Sequence, residues 1–100
     1  MIIMERRETE KIGNVMQAFW KDNPELYHNM MEARVVRLWG ELFGSSIAQY
    51  TTNVYVKNRT LHVSMSSSVA RNEMASMRKR LVKTLNKNAG GDVIDEVFFN

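Results

Sequence analysis

The stretch Trp39-Gly40-Glu41-Leu42-Phe43-Gly44, then Ile47-Ala48-Gln49-Tyr50-Thr51, then Val54-Tyr55-Val56-Lys57-Asn58-Arg59-Thr60-Leu61-His62-Val63-Ser64-Met65, then Ser66-Ser67-Ser68-Val69-Ala70-Arg71-Asn72-Glu73-Met74 decides the architecture. It reads as the end of a helix, a β-hairpin and the start of a second long helix. From Thr52 the apolar period is two. Val54 and Val56 alternate with Asn53, Tyr55 and Lys57, and Leu61, Val63 and Met65 alternate with His62 and Ser64. Such alternation makes a hairpin with one apolar face. Asn58 tolerates the positive φ of a tight turn, whereas Arg59 stands where glycine is preferred. The hydroxyls of Ser66-Ser67-Ser68 offer an N-cap to the helix that follows.

Upstream, Ile12, Val15, Met16 and Phe19 recur at i, i+3, i+4 and i+7 behind Thr9, the spacing of an amphipathic helix. Asp22-Asn23-Pro24 stops it and starts the next, with Asn23 as N-cap and Pro24 as first helical residue. That second helix places Met31, Val35, Leu38 and Leu42 on one stripe, with Trp39 on its shoulder. Gly44 suits a left-handed C-cap, and Ser45-Ser46 can cap a short turn through Ile47-Ala48-Gln49. Downstream, Ala70, Met74, Met77, Leu81 and Leu85 mark the face of one long helix that ends at Gly90-Gly91. Val93-Ile94-Asp95-Glu96-Val97-Phe98-Phe99 reads as a last strand. The order α-α-β-β-α-β predicts an α+β domain of two layers, a three-stranded sheet with helices on one face. The other sheet face would show Asn53, Tyr55, Lys57, His62 and Ser64.

One hundred residues with 44% hydrophobic and 25% charged side chains suit a single globular domain. The absence of cysteine excludes disulfides, thiolate metal sites and thiol nucleophiles. Met1-Ile2-Ile3-Met4 is too short for a signal-peptide core or a membrane span, so a cytoplasmic protein is expected. The net charge of +3 is unevenly spread: residues 1–56 carry −1, residues 57–88 carry +7, and residues 89–100 carry −3. The middle third is where a polyanion is attracted first.

Lys79, Lys83 and Lys87 recur at i, i+4 and i+8 with Arg80 beside them, roughly opposite the apolar stripe. Their bland reading is a solvated helix face; their sharp reading is a row that tracks phosphates. No acid interleaves after Glu73, so the usual i, i+4 ion pairs are missing. Lys57 and Arg59 in the hairpin would extend the patch. Arg71 and Arg78 are expected to hold acids such as Asp95 or Glu96. Tyr55 offers a ring on which a base can stack, or is simply a lone exposed aromatic. Trp39 and Phe19 read as core anchors, and the eight methionines as core more than as an adaptable binding groove. His28 and His62 have no ligand spacing around them, no phosphate-cradling glycine loop or nucleophile elbow occurs, and adjacent Asp95 and Glu96 in a strand point apart. These features imply no catalytic residue, no metal and no cofactor.

With these residues in place, the chain resembles the DciA-like family of bacterial domains. The resemblance rests on helical Trp39, Gly44, the Ile47-Ala48 pair, Thr51 opening the hairpin, Leu61-His62-Val63, the Ser66-Ser67-Ser68 cap, Glu73-Met74 and Leu85-Asn86, an ordered set over roughly residues 9 to 99. It differs in having Val69 where many members carry an aromatic, Asn58-Arg59 where many have glycine, and an end at Asn100 where members often continue into a flexible tail. The resemblance implies a KH-like fold, although the Gly-x-x-Gly clamp of KH domains is absent. It implies an accessory factor of bacterial DNA replication that contacts DNA, in single-stranded or forked form, and the replicative helicase. The expectation is thus one DciA-like domain over residues 1–100, with residues 1–8 disordered or loosely attached and no tail. The competing reading is a protein-interaction adaptor or self-associating scaffold that binds no nucleic acid.

Overall fold

The computed structural model describes residues 15–100. The chain runs through α1 (15–22), α2 (Pro24–Leu42), α3 (Gly44–Tyr50), β1 (Thr51–Lys57), β2 (Thr60–Met65), α4 (Ser68–Ala75), α5 (Arg78–Ala89) and β3 (Glu96–Phe99). The sheet order is β1-β2-β3. β1 pairs antiparallel with β2, and β2 pairs parallel with β3. The expected α+β class and three-stranded sheet are present. The parallel pairing follows from α4 and α5 crossing over between β2 and β3, since a parallel neighbour cannot be reached by a tight turn.

The inner sheet face carries Leu61, Val63, Met65 and Val97, all buried. Against it lie Met31, Val35, Leu38 and Trp39 of α2, Ala70 and Met74 of α4, and Leu81, Leu85 and Ala89 of α5. These residues form one core with Val93 and Ile94 of the loop before β3. Among the described residues no polar or charged side chain is buried. The helices cover one face only, so the outer face stays open.

Trp39 is 1% exposed, and its ring lies 4.9 Å from Phe43 and 5.7 Å from Phe99. A buried indole N–H must still find an acceptor. Trp39 Nε1 donates to Thr51 Oγ1 at 3.1 Å, and Thr51 Oγ1 donates to the Ile47 carbonyl at 2.8 Å. Four of the spaced residues noted above are thereby explained. Gly44, at φ 78°, turns the chain out of α2 so that α3 can present the Ile47 carbonyl.

The return from α5 to β3 is held by Asn86. Its Nδ2 donates to the Ile94 carbonyl at 2.8 Å, and its Oδ1 accepts from the Val93 and Ile94 N–H groups at 3.1 Å each. Gly90 caps α5 at φ 88°. Arg34 Nη1 donates to the Ala89 carbonyl at 2.8 Å, a cation where the helix dipole is negative.

Five expectations are corrected. The single long helix is two, because Ser76 Oγ donates back to the Glu73 carbonyl at 2.6 Å and Met77 N–H bonds Met74 rather than Glu73. Met77 then leaves the helical region, at φ −109° and ψ 17°. Phe19 is not a core anchor: Val15 is 62%, Met16 45% and Phe19 45% exposed, because nothing in the two-layer core reaches the stripe of α1. (Thr9, Ile12 and residues 1–8 lie outside the described residues.) Leu42 is 37% exposed where α2 overruns the sheet. Asn23 does precede Pro24 at the start of α2, but its side chain makes no cap there and donates back to the Phe19 carbonyl at 2.9 Å. β3 starts at Glu96, with Asp95 still in the loop.

Thr51→Val should strand the buried indole N–H of Trp39 and destabilise the domain by about 1–3 kcal/mol. In a Trp39→Phe background, which has no such N–H, the same change should cost clearly less. Chemical denaturation of the four proteins of this cycle measures the coupling, and equal costs in both backgrounds would rule out the relay.

Candidate nucleic-acid interface

Leu81, Leu85 and Ala89 of α5 face the core, which turns Lys79, Arg80, Lys83 and Lys87 to solvent, where all four are exposed. The row Lys79, Lys83, Lys87 survives the break at Met77 because it lies wholly within α5. At ~1.5 Å per residue it runs ~12 Å along the helix. Arg78, which its spacing from Arg71 assigns to a structural ion pair, instead joins these residues as another exposed cation.

The first turn of α5 is unusual. It contains no acid, the residue before it makes no side-chain cap, and it opens Arg78-Lys79-Arg80. Three successive cations thus surround the end of a helix that already favours negative charge. Residues 75–80 line a shallow open cleft at this elbow. The elbow joins two helices between parallel strands β2 and β3, and reads Ala75-Ser76-Met77-Arg78 without glycine. Among the described residues the ion pairs are Arg37–Glu41, Arg59–Asp92 and Arg59–Asp95, and His28 contacts Glu32. None uses a cation of α5.

Arg59 has another setting. Asn58 and Arg59 take φ 53° and 59°, the two-residue turn that matches strand twist. A non-glycine residue in that region is strained by about 1–2 kcal/mol, and the surroundings hold it. Arg59 Nε donates to Asp95 Oδ2 at 2.9 Å and Nη2 to Asp95 Oδ1 at 2.8 Å, a bidentate pair. Nη2 also reaches Asp92 Oδ1 at 3.0 Å, and Nη1 the Asp92 carbonyl at 3.2 Å. The Arg59 carbonyl accepts from Asp95 N–H at 2.7 Å. Arg59 therefore clasps the hairpin tip to the loop before β3, and two carboxylates balance its charge. Its expected place in a free basic patch is corrected accordingly. So is the expectation for Arg71 and Arg78, since Asp95 is taken by Arg59.

Lys57 shares its strand face with Tyr55, on the open side of the sheet, whereas α5 packs on the covered side. The structure thus brings Lys79, Arg80, Lys83 and Lys87 together and sets Lys57 on another surface. Tyr55 is on the open face as expected, and it has company. Its ring stacks on His62 at 4.7 Å and 6°, and His62 meets Phe98 edge-on at 5.7 Å. Among the described residues no group of His, Asp and Glu is arranged to hold a metal ion.

The bidentate Arg59 guanidinium holds the Asp95 carboxyl below its ordinary range, chiefly through the hydrogen bonds and then through their opposite charges. A carboxyl whose folded pKa is depressed stabilises the fold above its unfolded pKa of ~4, and that share is lost as pH falls through the folded value. Melting temperatures measured from pH 5 to pH 2 should fall less for Asp95→Asn than for the parent. The gap should narrow in high salt, because the pair is exposed. Parallel curves would show that the clasp adds nothing to acid stability.

No curated protein is similar enough to the chain to count as a relative. A family model described as Dna[CI] antecedent, DciA, matches residues 11–99. With nearly the whole length matched, the chain belongs to the DciA family, which points to a role in loading the helicase during DNA replication.

Proposed function

We propose that the protein is a nucleic-acid- and protein-binding accessory factor of bacterial DNA replication that contacts DNA through α5 and also contacts the replicative helicase. The observation that carries the DNA contact is the group of cations on α5. Arg78, Lys79, Arg80, Lys83 and Lys87 have no carboxylate partner among the described residues. Interleaved acids, which would neutralise such a face through i, i+4 pairs, do not occur in α5. Successive lysines of the row stand ~6 Å apart, close to the stride of a nucleic-acid backbone. Lysine is a mobile point charge, so the row positions the phosphates without reading bases. Lys57 supports the contact from the open sheet face, and Arg59 supports it indirectly by fixing the hairpin tip. Such a factor works in the bacterial cytoplasm as a binding protein, with no catalytic step and no cofactor of its own. No described helix is long and apolar enough to cross a membrane.

Replacing Lys79, Lys83 and Lys87 together by Gln should change stability by no more than ~0.5 kcal/mol. It should weaken binding to every DNA sequence alike. It should also flatten the dependence of log K on log salt by about two to three units, nearly one for each phosphate that is no longer neutralised. Fluorescence anisotropy over a salt series reads both effects. Binding equal to the parent at the same salt would place the DNA-binding surface elsewhere.

A second observation supports the protein contact and keeps the adaptor reading alive. Val15, Met16 and Phe19 of α1 and Leu26 and Tyr27 of α2 are all exposed. Large apolar side chains left in solvent are the material of an interaction surface. In a nuclease-treated lysate, the tagged protein should retain the replicative helicase, and Phe19→Ser should release it. If the helicase leaves on nuclease treatment alone, recruitment runs through DNA. If self-association survives with no helicase and no DNA bound, the scaffold reading replaces this one.

A further inference from the structure

The open face of the sheet is built from eight side chains in three rows. Register pairs Lys57 with Thr60 and Thr60 with Glu96, then Tyr55 with His62 and His62 with Phe98, then Asn53 with Ser64. The middle row is aromatic across all three strands, and the rows on either side are polar. No aliphatic side chain stands on this face. A surface whose only apolar groups are rings, flanked on β1 and β2 by an amide, hydroxyls and a lysine and with its one carboxylate, Glu96, two strands away from Lys57 on β3, fits a planar heteroaromatic ligand with hydrogen-bonding edges whose attached anion lies on the β1 side.

Ring orientation says where such a ligand goes. Tyr55 and His62 are parallel to within 6° at 4.7 Å, which is the spacing of adjacent strands. The rings therefore stand upright on the sheet, face against face. His62 has one face on Tyr55 and meets Phe98 in an edge-type contact at 61°. Tyr55 has a partner on one face only, because β1 is the outer strand, and it is 43% exposed. The stack is open at that end. Asn53 and Lys57 flank Tyr55 on the same strand face, each ~7 Å away at two residues' rise, within reach of a base edge and of the adjoining phosphate.

We propose that the outer ring face of Tyr55 is a subsite for one unpaired nucleobase of a single strand, which extends the Tyr55–His62 stack while Lys57 takes the adjoining phosphate. The subsite rests on the DNA-binding reading above and deepens it. The cations of α5 hold backbone without regard to bases, whereas Tyr55 demands a base free of its pair. Stacking tolerates any base, because each has a π-face, so the subsite selects strand form and not sequence.

The test uses the full chain with two labelled twelve-nucleotide single strands at equal salt, oligo-thymidine and its abasic counterpart with the same phosphates. The parent should bind the thymidine strand more tightly. Tyr55→Leu should weaken the thymidine strand by about tenfold, the usual worth of one base–aromatic stack, and leave the abasic strand unchanged. Tyr55→Phe, which keeps the ring, should bind like the parent. The Lys79, Lys83 and Lys87 triple variant should weaken both strands alike. Equal binding of thymidine strand by Tyr55→Leu and parent would overturn the subsite while leaving the α5 surface standing. Equal losses on both strands would also overturn it, since Tyr55 would then act through the fold. If the parent binds neither strand, the DNA reading and the subsite fall together. If Tyr55→Leu turns a dimer into a monomer in sedimentation and has no base-dependent effect, β1 pairs with a second copy and the proposal is wrong.

Discussion

The need of one buried N–H for an acceptor organises the N-terminal half of the sheet. Trp39 is the largest side chain in the core, and its burial brings an indole donor into an apolar interior. Only Thr51 answers it, and Thr51 in turn is aimed by the Ile47 carbonyl. The end of α2, the whole of α3 and the first residue of β1 are therefore placed with respect to each other by two hydrogen bonds. The irregularity between Thr51 and Asn53 follows from the same demand. Thr51 must serve the core before the strand settles into its alternation. Once β1 is placed, hairpin register puts Leu61, Val63 and Met65 inward, and the helices have a floor to pack on.

Polar clasps at the opposite end complete the arrangement. Asn86 binds the loop before β3 from the helix side, and Arg59 binds it from the hairpin side. Between them Val93 and Ile94 are pressed into the core. The strongest side-chain charge pairing among the described residues is thus spent at the rim, on architecture. The cations of α5 pair with no acid among the described residues. This separation of roles among basic residues matters for function: Arg59 shapes the fold, and the lysines of α5 remain available.

Much of this was legible in the sequence, and the failures have physical causes. Alternation over residues 53–65 fixes which hairpin residues face out, because a strand's period admits no compromise, and the structure follows it residue by residue. The lysine row was legible for the same reason, since Leu81 and Leu85 determine the opposite side of α5. The break at Ser76-Met77 was not, because Met77 fits the helical stripe and only a Ser76 hydroxyl bonding back to Glu73 marks the end of the helix. The setting of Arg59 was hidden because its partner Asp95 lies 36 residues away. Phe19 misled because periodicity reports which face is apolar and not whether anything covers it. The aromatic row was only partly visible. Tyr55 and His62 stood out, but Phe98 joins them only through the parallel register of β3.

The mixed sheet also implies an order of assembly. β1 and β2 are joined by two residues and can pair on the microsecond scale of hairpins. β3 must wait for the 30 residues between Met65 and Glu96 to wind into two helices and bring it alongside, and distant pairing is slower because closure entropy precedes the reward. During that interval β2, which carries the core residues Leu61, Val63 and Met65, stands with one edge unsatisfied. An edge of this kind pairs readily with the wrong chain. The clasp of Arg59 on Asp95 sits at the point where β3 enters the sheet, beside the Asp95 N–H bond to the Arg59 carbonyl, so it holds the late strand in register once it arrives.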